Sequence, residues 1–372
     1  MSETLTRRHI LGLTAAAGAA LGLSGCGFQA GEAPKAAATN KAKAKIDGDL
    51  VYFNWAEYVD PSVFKSFSKK YDVKIVKANY DSMESMAAKL QAGNRYDIIF
   101  PSAEWVRKLT AANQLLEIDH RQIPNASRIF DHYPMFADPW YDAKSAHSIP
   151  FTMYKTGIAW RKDKLGETLS GSWNDLWNTD AQGKTFLLDD RDEVLGMAAL
   201  LLGYPLNTDD PGQLDKIVAR VKSLRPKLRG FSSTDYRNLL NGNAWLQHTW
   251  SGDMAAVLGV AKDPSVYGFE APREGTPVNT DAYAIPANAQ HPGTALLFID
   301  HMLRPENVVK NMNYIGYPMP VHGTEKEYDK IAARLPACKV TSDDLKANLH
   351  FVNRTVEQTR ARDAAWTKIK AG

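Results

Sequence analysis

The chain has 372 residues, with 45 Lys and Arg against 42 Asp and Glu, a formal net charge of +3, and two cysteines. Residues 1–47 hold six Lys/Arg and three Asp/Glu, so they account for the whole net charge and the rest of the chain is neutral. A neutral main body lacks the concentrated basic surface that nucleic acid requires, so no nucleic-acid partner is expected, and two cysteines make no disulfide framework.

The N-terminus reads as an export signal. Arg7 and Arg8 precede an uncharged run, Ile10 to Leu23, that ends at Leu23-Ser24-Gly25-Cys26. A basic start, a short apolar middle and a small-residue end make residues 1–25 a signal peptide, and the run is too short and too rich in Ala and Gly to span a bilayer. The other reading, a buried core helix, is disfavoured by the terminal position and the polar segment that follows. The last four residues resemble a bacterial lipobox, which implies a lipid on Cys26. Thr6-Arg7-Arg8-His9-Ile10-Leu11 resembles a twin-arginine signal, with Ile10 where Phe is commonest and Gly12 where Lys is, although paired arginines also occur in ordinary secretory signals. Residues 26–48 are then a lipidated N-terminus and a flexible tether, too poor in apolar bulk to form a core. Cys338 is left without an intramolecular partner and is expected as a buried, inert thiol. The expected location is the periplasm or the outer face of the cell membrane.

About 325 residues follow the tether, enough for two domains with their own cores. They contain no membrane-length apolar segment and no internal repeat visible by eye. Leu50 to Trp55 is a short apolar and aromatic run suited to a buried strand, and Asp60-Pro61 supplies a helix cap and first helical residue. Val63, Phe64, Phe67 and Tyr71 recur at the spacing of one buried helical face. A second strand is expected over Val73–Val76. The next helix carries Met83, Met86, Ala87 and Leu90 on one stripe and stops at Gly93. Tyr96 to Phe100 reads as a strand, Trp105 to Leu115 as a helix, Ile149 to Trp160 as one long strand-like crossing and Phe186-Leu187-Leu188 as a buried strand. Val194 to Leu202 reads as a helix, and Pro292 to Leu303 as a strongly amphipathic one. Such alternation predicts an α/β fold of two lobes with mostly parallel sheets, and ligands in such folds gather just beyond the carboxyl ends of strands.

Enzyme signatures are missing. Gly183-Lys184-Thr185 has the end of a phosphate-binding loop, but position 178 is Asn where the motif needs Gly, so a surface turn is expected. There is no G-x-S-x-G, H-E-x-x-H or C-x-x-C, and the nine histidines lack metal-ligand spacing, so neither catalysis, metal nor cofactor is expected. Paired carboxylates acting on a glycoside are the residual enzymatic reading. What stands out is a mixture of aromatics and acids at predicted strand ends: Asn54-Trp55-Ala56-Glu57-Tyr58, Asp189-Asp190-Arg191-Asp192-Glu193, Trp250-Ser251-Gly252-Asp253, and Asp281 before Tyr283-Ala284-Ile285-Pro286. This set suits an elongated dication, whose ammonium groups need anionic partners when taken out of water and whose methylene chain needs an apolar wall. Taken singly, an Asp after a strand is more often a helix cap and a Trp more often core.

These same segments carry a resemblance, from about Leu50 to the C-terminus, to the periplasmic spermidine- and putrescine-binding proteins of ABC importers. It lies in Tyr52 to Tyr58, Tyr96 to Ser102, Ser172-Trp173-Asn174-Asp175-Leu176-Trp177, Leu188-Asp189-Asp190 through Glu193-Val194, Ala284 to Ala289, Leu303-Arg304-Pro305 and Ile315-Gly316-Tyr317-Pro318. The resemblance implies a two-lobed periplasmic-binding-protein-like fold (type II), with a hinge and one ligand in the interlobe cleft. It divides the chain into lobe 1 over 49–150, lobe 2 over 151–280, a return to lobe 1 over 281–322 and a C-terminal helical segment over 323–372. Carried over position by position, Trp55 and Tyr58 stack on the alkyl chain and Ser102 lines the same lobe. Glu193 and Asp190 bind one ammonium region, Trp250 covers the chain, Asp281 binds another amine and Tyr317 closes the wall. Asp253 fits the putrescine-binding pattern, and Glu57 and Asn279 belong to the same set, with Glu84 touching the site more distantly. Three positions depart from the pattern: Ala56 stands where a hydroxyl residue is usual, Asn279 where an aromatic is common, and Glu104 replaces an aromatic of some spermidine binders. The implied partners are a polyamine, an importer permease and, through the lipid, the membrane; the protein is expected to be a monomer. Two readings compete: a protein of the same fold for oxyanions, phosphonates or ferric iron, which would use helix N-termini with Arg and Ser or clustered tyrosines, and a polyamine sensor subunit.

Overall fold

The computed structural model describes residues 42–371 apart from Asp81, residues 131–133, Thr234, Asn348 and Asn353. The signal peptide, Cys26 and most of the expected tether lie outside the described residues. The tether was expected to reach residue 48, but residues 42–48 are fixed: Ala42 and Ala44 pack on the core, and the Asp47 carboxylate accepts the Gly293 and Thr294 amides, each at 2.9 Å. Asp47 thereby caps the helix Pro292–Met302. Gly293 permits this approach, since a Cβ there would meet the Lys45 and Lys43 carbonyls at 2.6 and 2.7 Å.

Among the described residues two sheets form. The first has the strand order Ile75–Tyr80, Leu50–Trp55, Ile98–Ile99, Ala282–Ala284, Ser148–Pro150. The second has the order Val278–Asn279, Tyr154–Arg161, Leu246–Trp250, Thr185–Leu187, Leu228–Phe231, with Tyr267–Glu270 also on Tyr154–Arg161. Each sheet anchors its own core. Leu50, Phe67, Ile98, Phe298 and Met302 belong to the first, and Trp173, Leu187, Val194, Leu195 and Ile217 to the second.

The sheets are mixed, not mostly parallel as expected. Leu50–Trp55 runs parallel to both its neighbours, but Ala282–Ala284 enters antiparallel, and Tyr154–Arg161 is antiparallel to all three of its partners. The cause is the chain's crossing between lobes, because a strand that returns from the other lobe arrives from the opposite end. The expected single crossing from Ile149 to Trp160 is in fact two strands, one in each sheet, broken at Phe151–Met153. Continuous apolar content hides this break, since both halves are buried. Ile75–Tyr80 runs four residues past the expected Val73–Val76; it is an edge strand with exposed Val76, Lys77 and Asn79, so the polar continuation costs little. The helix from Trp105 starts earlier, at Ala103, and ends at Ala111 before Asn113 turns left-handed. Pro292–Met302 is buried on nearly every face and not strongly amphipathic, because the residues before Leu50, the helix Pro61–Tyr71 and the helix Pro305–Ile315 all cover it.

The C-terminal helix Val356–Lys370 packs on the second lobe through Ala365 and Ile369. Cys338 is buried, and burial pushes its thiol well above the ordinary range. Lys184 of the phosphate-loop-like triplet follows a left-handed turn at Gln182-Gly183 and its Nζ donates to the Gly242 carbonyl at 3.1 Å, as a surface turn would. Among the described residues no helix is long and apolar enough to cross a membrane, and no cluster of His, Cys, Asp and Glu has metal-site geometry.

Candidate functional site

The cleft floor is made where the chain passes between sheets. Residues 151–153 cross in one direction and residues 280–281 in the other, and the two crossings are bonded together. The Phe151 and Thr152 amides donate to the Asp281 carbonyl at 2.8 and 3.3 Å, and the Thr280 hydroxyl donates to the Thr152 carbonyl. The Met153 amide donates to the Pro318 carbonyl at 2.9 Å, which ties in the segment carrying Tyr317. Rigid strand ends and a bonded floor therefore fix the side chains that face the cleft.

One acidic pole lies at Asp281, 5% exposed. Its Oδ2 accepts the Tyr58 hydroxyl at 2.8 Å, and Tyr58 also contacts Thr152 Oγ1 at 3.3 Å. Burial raises the Asp281 carboxyl to about 7; the Tyr58 and Tyr154 hydroxyls oppose the shift and the nearby charge of Glu104 adds to it. Ser102 pairs with Asp281 in an isolated antiparallel bridge, and its Oγ donates to Glu104 Oε1 at 2.6 Å. Asn279 Nδ2 donates to Glu104 Oε2 at 3.2 Å from the other side.

The second pole is built on the first turn of the helix Arg191–Leu201. Asp190 caps this helix, accepting the Asp192 and Glu193 amides at 2.9 and 3.0 Å. Glu193 is 3% exposed; its Oε1 accepts the Thr156 hydroxyl at 3.0 Å and the Trp250 indole N–H at 2.9 Å. Its Oε2 is buried without any hydrogen-bond partner among the described residues. Burial and then the charge of Asp190 push Glu193 well above its ordinary value, and burial together with Asp192 raises Asp190. No Lys or Arg among the described residues forms an ion pair with Glu193, Asp190 or Asp281. An unpartnered buried carboxylate oxygen is costly, and a cation entering the cleft is what would satisfy it.

Aromatic rings wall the space between the poles. Tyr317 stands edge-on to Tyr58 at 5.4 Å and to Tyr154 at 5.7 Å, and Tyr154 stands edge-on to Trp250 at 6.2 Å. Tyr317 Oη donates to Asp253 Oδ1 at 3.0 Å, so Asp253 reaches the site through this ring. Gly252 makes room for it, since a Cβ there would lie 2.2 Å from a Tyr317 ring carbon.

The structure thus brings together Tyr58, Ser102, Asp190, Glu193, Trp250, Asp253, Asn279, Asp281 and Tyr317. Trp55 is half-buried at its strand end, 4.8 Å from Tyr80, on the margin of this group. Glu57 stands apart: it turns left-handed at φ 55°, is exposed, and its Oε2 pairs with Arg237 Nη2 of the other lobe at 2.7 Å. Glu84 is exposed in the first turn of the helix Met83–Gln91, near enough for its charge to help raise Asp190. Sequence reasoning missed Tyr154, Thr156 and the role of Glu104. Tyr154 and Thr156 open the strand just past the unseen break, and no local signal in the sequence marks that break.

Two α/β lobes whose crossings floor an acidic, aromatic cleft define a receptor that holds a small solute between its lobes. The chain belongs to the bacterial extracellular solute-binding protein family, whose pattern matches residues 62–336. It is 32% identical over 334 residues to the spermidine/putrescine-binding periplasmic protein of Escherichia coli (strain K12), covering 89% of this chain and 94% of that one. It also matches the spermidine/putrescine ABC transporter substrate-binding protein PotD of Streptococcus pneumoniae, with a TM-score of 0.74 at 25% identity over 87% of this chain and 99% of that one. The lipoprotein Tp0655 (TpPotD) of Treponema pallidum matches with a TM-score of 0.75 at 25% identity, again over 87% and 99%. The family is one of exported binding proteins and not of enzymes.

Proposed function

We propose that this protein captures a polyamine of the putrescine or spermidine class in the cleft and delivers it to the permease of an ABC importer. The observation that carries this reading is Glu193 Oε2, buried and unpartnered at one end of an aromatic trough whose other end holds buried Asp281. Ammonium groups would neutralise both poles, while Tyr58, Tyr154, Trp250 and Tyr317 cover the methylenes. The names of the relatives agree with this guest. Capture proceeds by closure: the amine docks on one lobe, the other rotates over it about the crossings at 151–153 and 280–281, and the permease recognises the closed shape. The lobes follow the boundaries 49–150, 151–280 and 281–322. Export through the twin-arginine signal, lipid attachment at Cys26 and a monomeric state complete the proposal.

A thermal-shift and calorimetric panel of diamines, polyamines, amino acids and oxyanions tests it. Putrescine or spermidine should stabilise the protein; stabilisation by oxyanions alone would overturn the reading. The poles also set a pH dependence. Asp281 holds its proton in the fold up to about pH 7, against 3.8 for the free side chain. The folded state therefore binds more protons than the unfolded chain between these values, and the ligand-free protein loses stability as pH rises through that window. A cation needs the ionised carboxylates, so amine affinity should climb over the same window, with protons released on binding. Calorimetry in buffers of different ionisation enthalpy measures that release, and uptake of protons would contradict the account. The Glu57–Arg237 pair is exposed on both sides, so Glu57→Gln should change amine affinity by less than about fivefold, an effect that disappears in high salt. A titration at two salt concentrations checks this.

A further inference from the structure

We propose that Glu104, clasped by Ser102 and Asn279, is a third anionic pole of the cleft that selects a triamine over a diamine of equal length. The inference rests on the polyamine reading above and names the guest within that class. Its geometry starts from three sequence-distant groups that meet: Ser102 Oγ on Glu104 Oε1 at 2.6 Å, Asn279 Nδ2 on Glu104 Oε2 at 3.2 Å, and Asp281 paired with Ser102 across the strand bridge. Asn279 is itself 3% exposed, and its Oδ1 accepts the Thr280 amide at 2.8 Å, so the amide is held with its N–H₂ turned to the carboxylate. Glu104 is thus oriented from both oxygens and sits beside the Asp281 pole.

It also reaches the other pole. Its charge contributes to the raised values of Asp281 on one side and of Asp190 and Glu193 on the other, and to that of Tyr154 between them. Strand register joins the two groups independently of these shifts: Asn279, which holds Glu104, pairs with Tyr154, and Thr156 two residues along that strand holds Glu193, whose Oε2 is buried without a partner. At these two positions the chain carries a carboxylate and an amide, so the local wall is polar. A methylene placed against that wall would desolvate the carboxylate and give nothing in return, whereas a positively charged nitrogen would add a charge-assisted bond to oxygens that Ser102 and Asn279 already orient. Spermidine places a secondary ammonium between its terminal ones; 1,8-diaminooctane has the same span with methylene in that place.

The test is calorimetry at pH 8 with intact protein, comparing spermidine, 1,8-diaminooctane and putrescine on the wild type and on Glu104→Gln. The wild type should bind spermidine about tenfold or more tighter than 1,8-diaminooctane, and Glu104→Gln should shrink that ratio to about threefold or less. Equal wild-type affinities for the two length-matched amines, or a ratio that survives in Glu104→Gln, would overturn the inference while leaving polyamine binding intact. If no amine binds the wild type, the polyamine reading falls, and this inference with it. The wild-type comparison stands by itself should the variant fail to fold.

Discussion

Asp281→Asn is expected to weaken spermidine binding by about 3 to 5 kcal/mol, more than about a hundredfold, at pH 8. The side chain is 5% exposed and no cationic residue pairs with it, so its charge has no role in the ligand-free fold that Asn would fail to supply. Asn also keeps the shape and an acceptor for the Tyr58 hydroxyl, which now bonds Oδ2 at 2.8 Å. The loss should therefore fall on the amine and not on folding. Because the carboxyl is raised to about 7, the wild type is largely protonated at acidic pH, and the gap between Asp281 and Asn should narrow there. Calorimetry at the two pH values measures both effects. An affinity unchanged within about threefold at pH 8 would remove Asp281 from the site.

Arg362→Ala is expected to be strongly destabilising although it lies outside the cleft. Arg362 is fully buried on the C-terminal helix, its Nε donating to Asp192 Oδ1 at 2.9 Å and its Nη1 to the Thr208 carbonyl at 2.9 Å. Arg191 and Arg354 also contact Asp192, at 2.8 and 3.3 Å. Burial alone would raise the Asp192 carboxyl, but the charges of Arg362, Arg191 and Arg354 outweigh it and hold the group far below the ordinary carboxylate range. Removing one buried partner leaves a carbonyl unsatisfied and a cavity, a loss of about 3 kcal/mol given that two arginines remain. Thermal denaturation should show a fall in Tm of at least about 5 °C. Asp192 stands between Asp190 and Glu193 on the same helical turn, so the variant should also bind amine more weakly than its stability alone explains. A Tm within about 1 °C of wild type would contradict this account of the cluster.

The sequence made the acids and aromatics at strand ends legible because strand ends need only local information: an apolar run, then a polar or glycine-containing stop. Leu50–Trp55 and the cap at Asp60, whose Oδ1 accepts the Ser62 amide at 2.6 Å, follow directly from such patterns. The break at 151–153 was not legible, since Phe151, Thr152 and Met153 are as buried as the strands they separate and the interruption arises from a change of sheet. Glu104 stood out only as a departure from the family pattern, and its role was hidden for a related reason. Its meaning depends on Asn279, 175 residues away, and sequence adjacency shows only a polar residue at the start of a helix. The placement of Glu57 was equally out of reach, because a position next to Tyr58 does not reveal that the left-handed turn carries its carboxylate out to Arg237.

The most direct test of the central claim is a crystal structure with bound spermidine. One terminal nitrogen should lie within hydrogen-bond distance of Glu193 Oε2 and the other should reach Asp281, with the chain between the rings of Trp250, Tyr154 and Tyr317. An amine found outside the cleft, with Glu193 Oε2 still lacking a nitrogen partner, would contradict it.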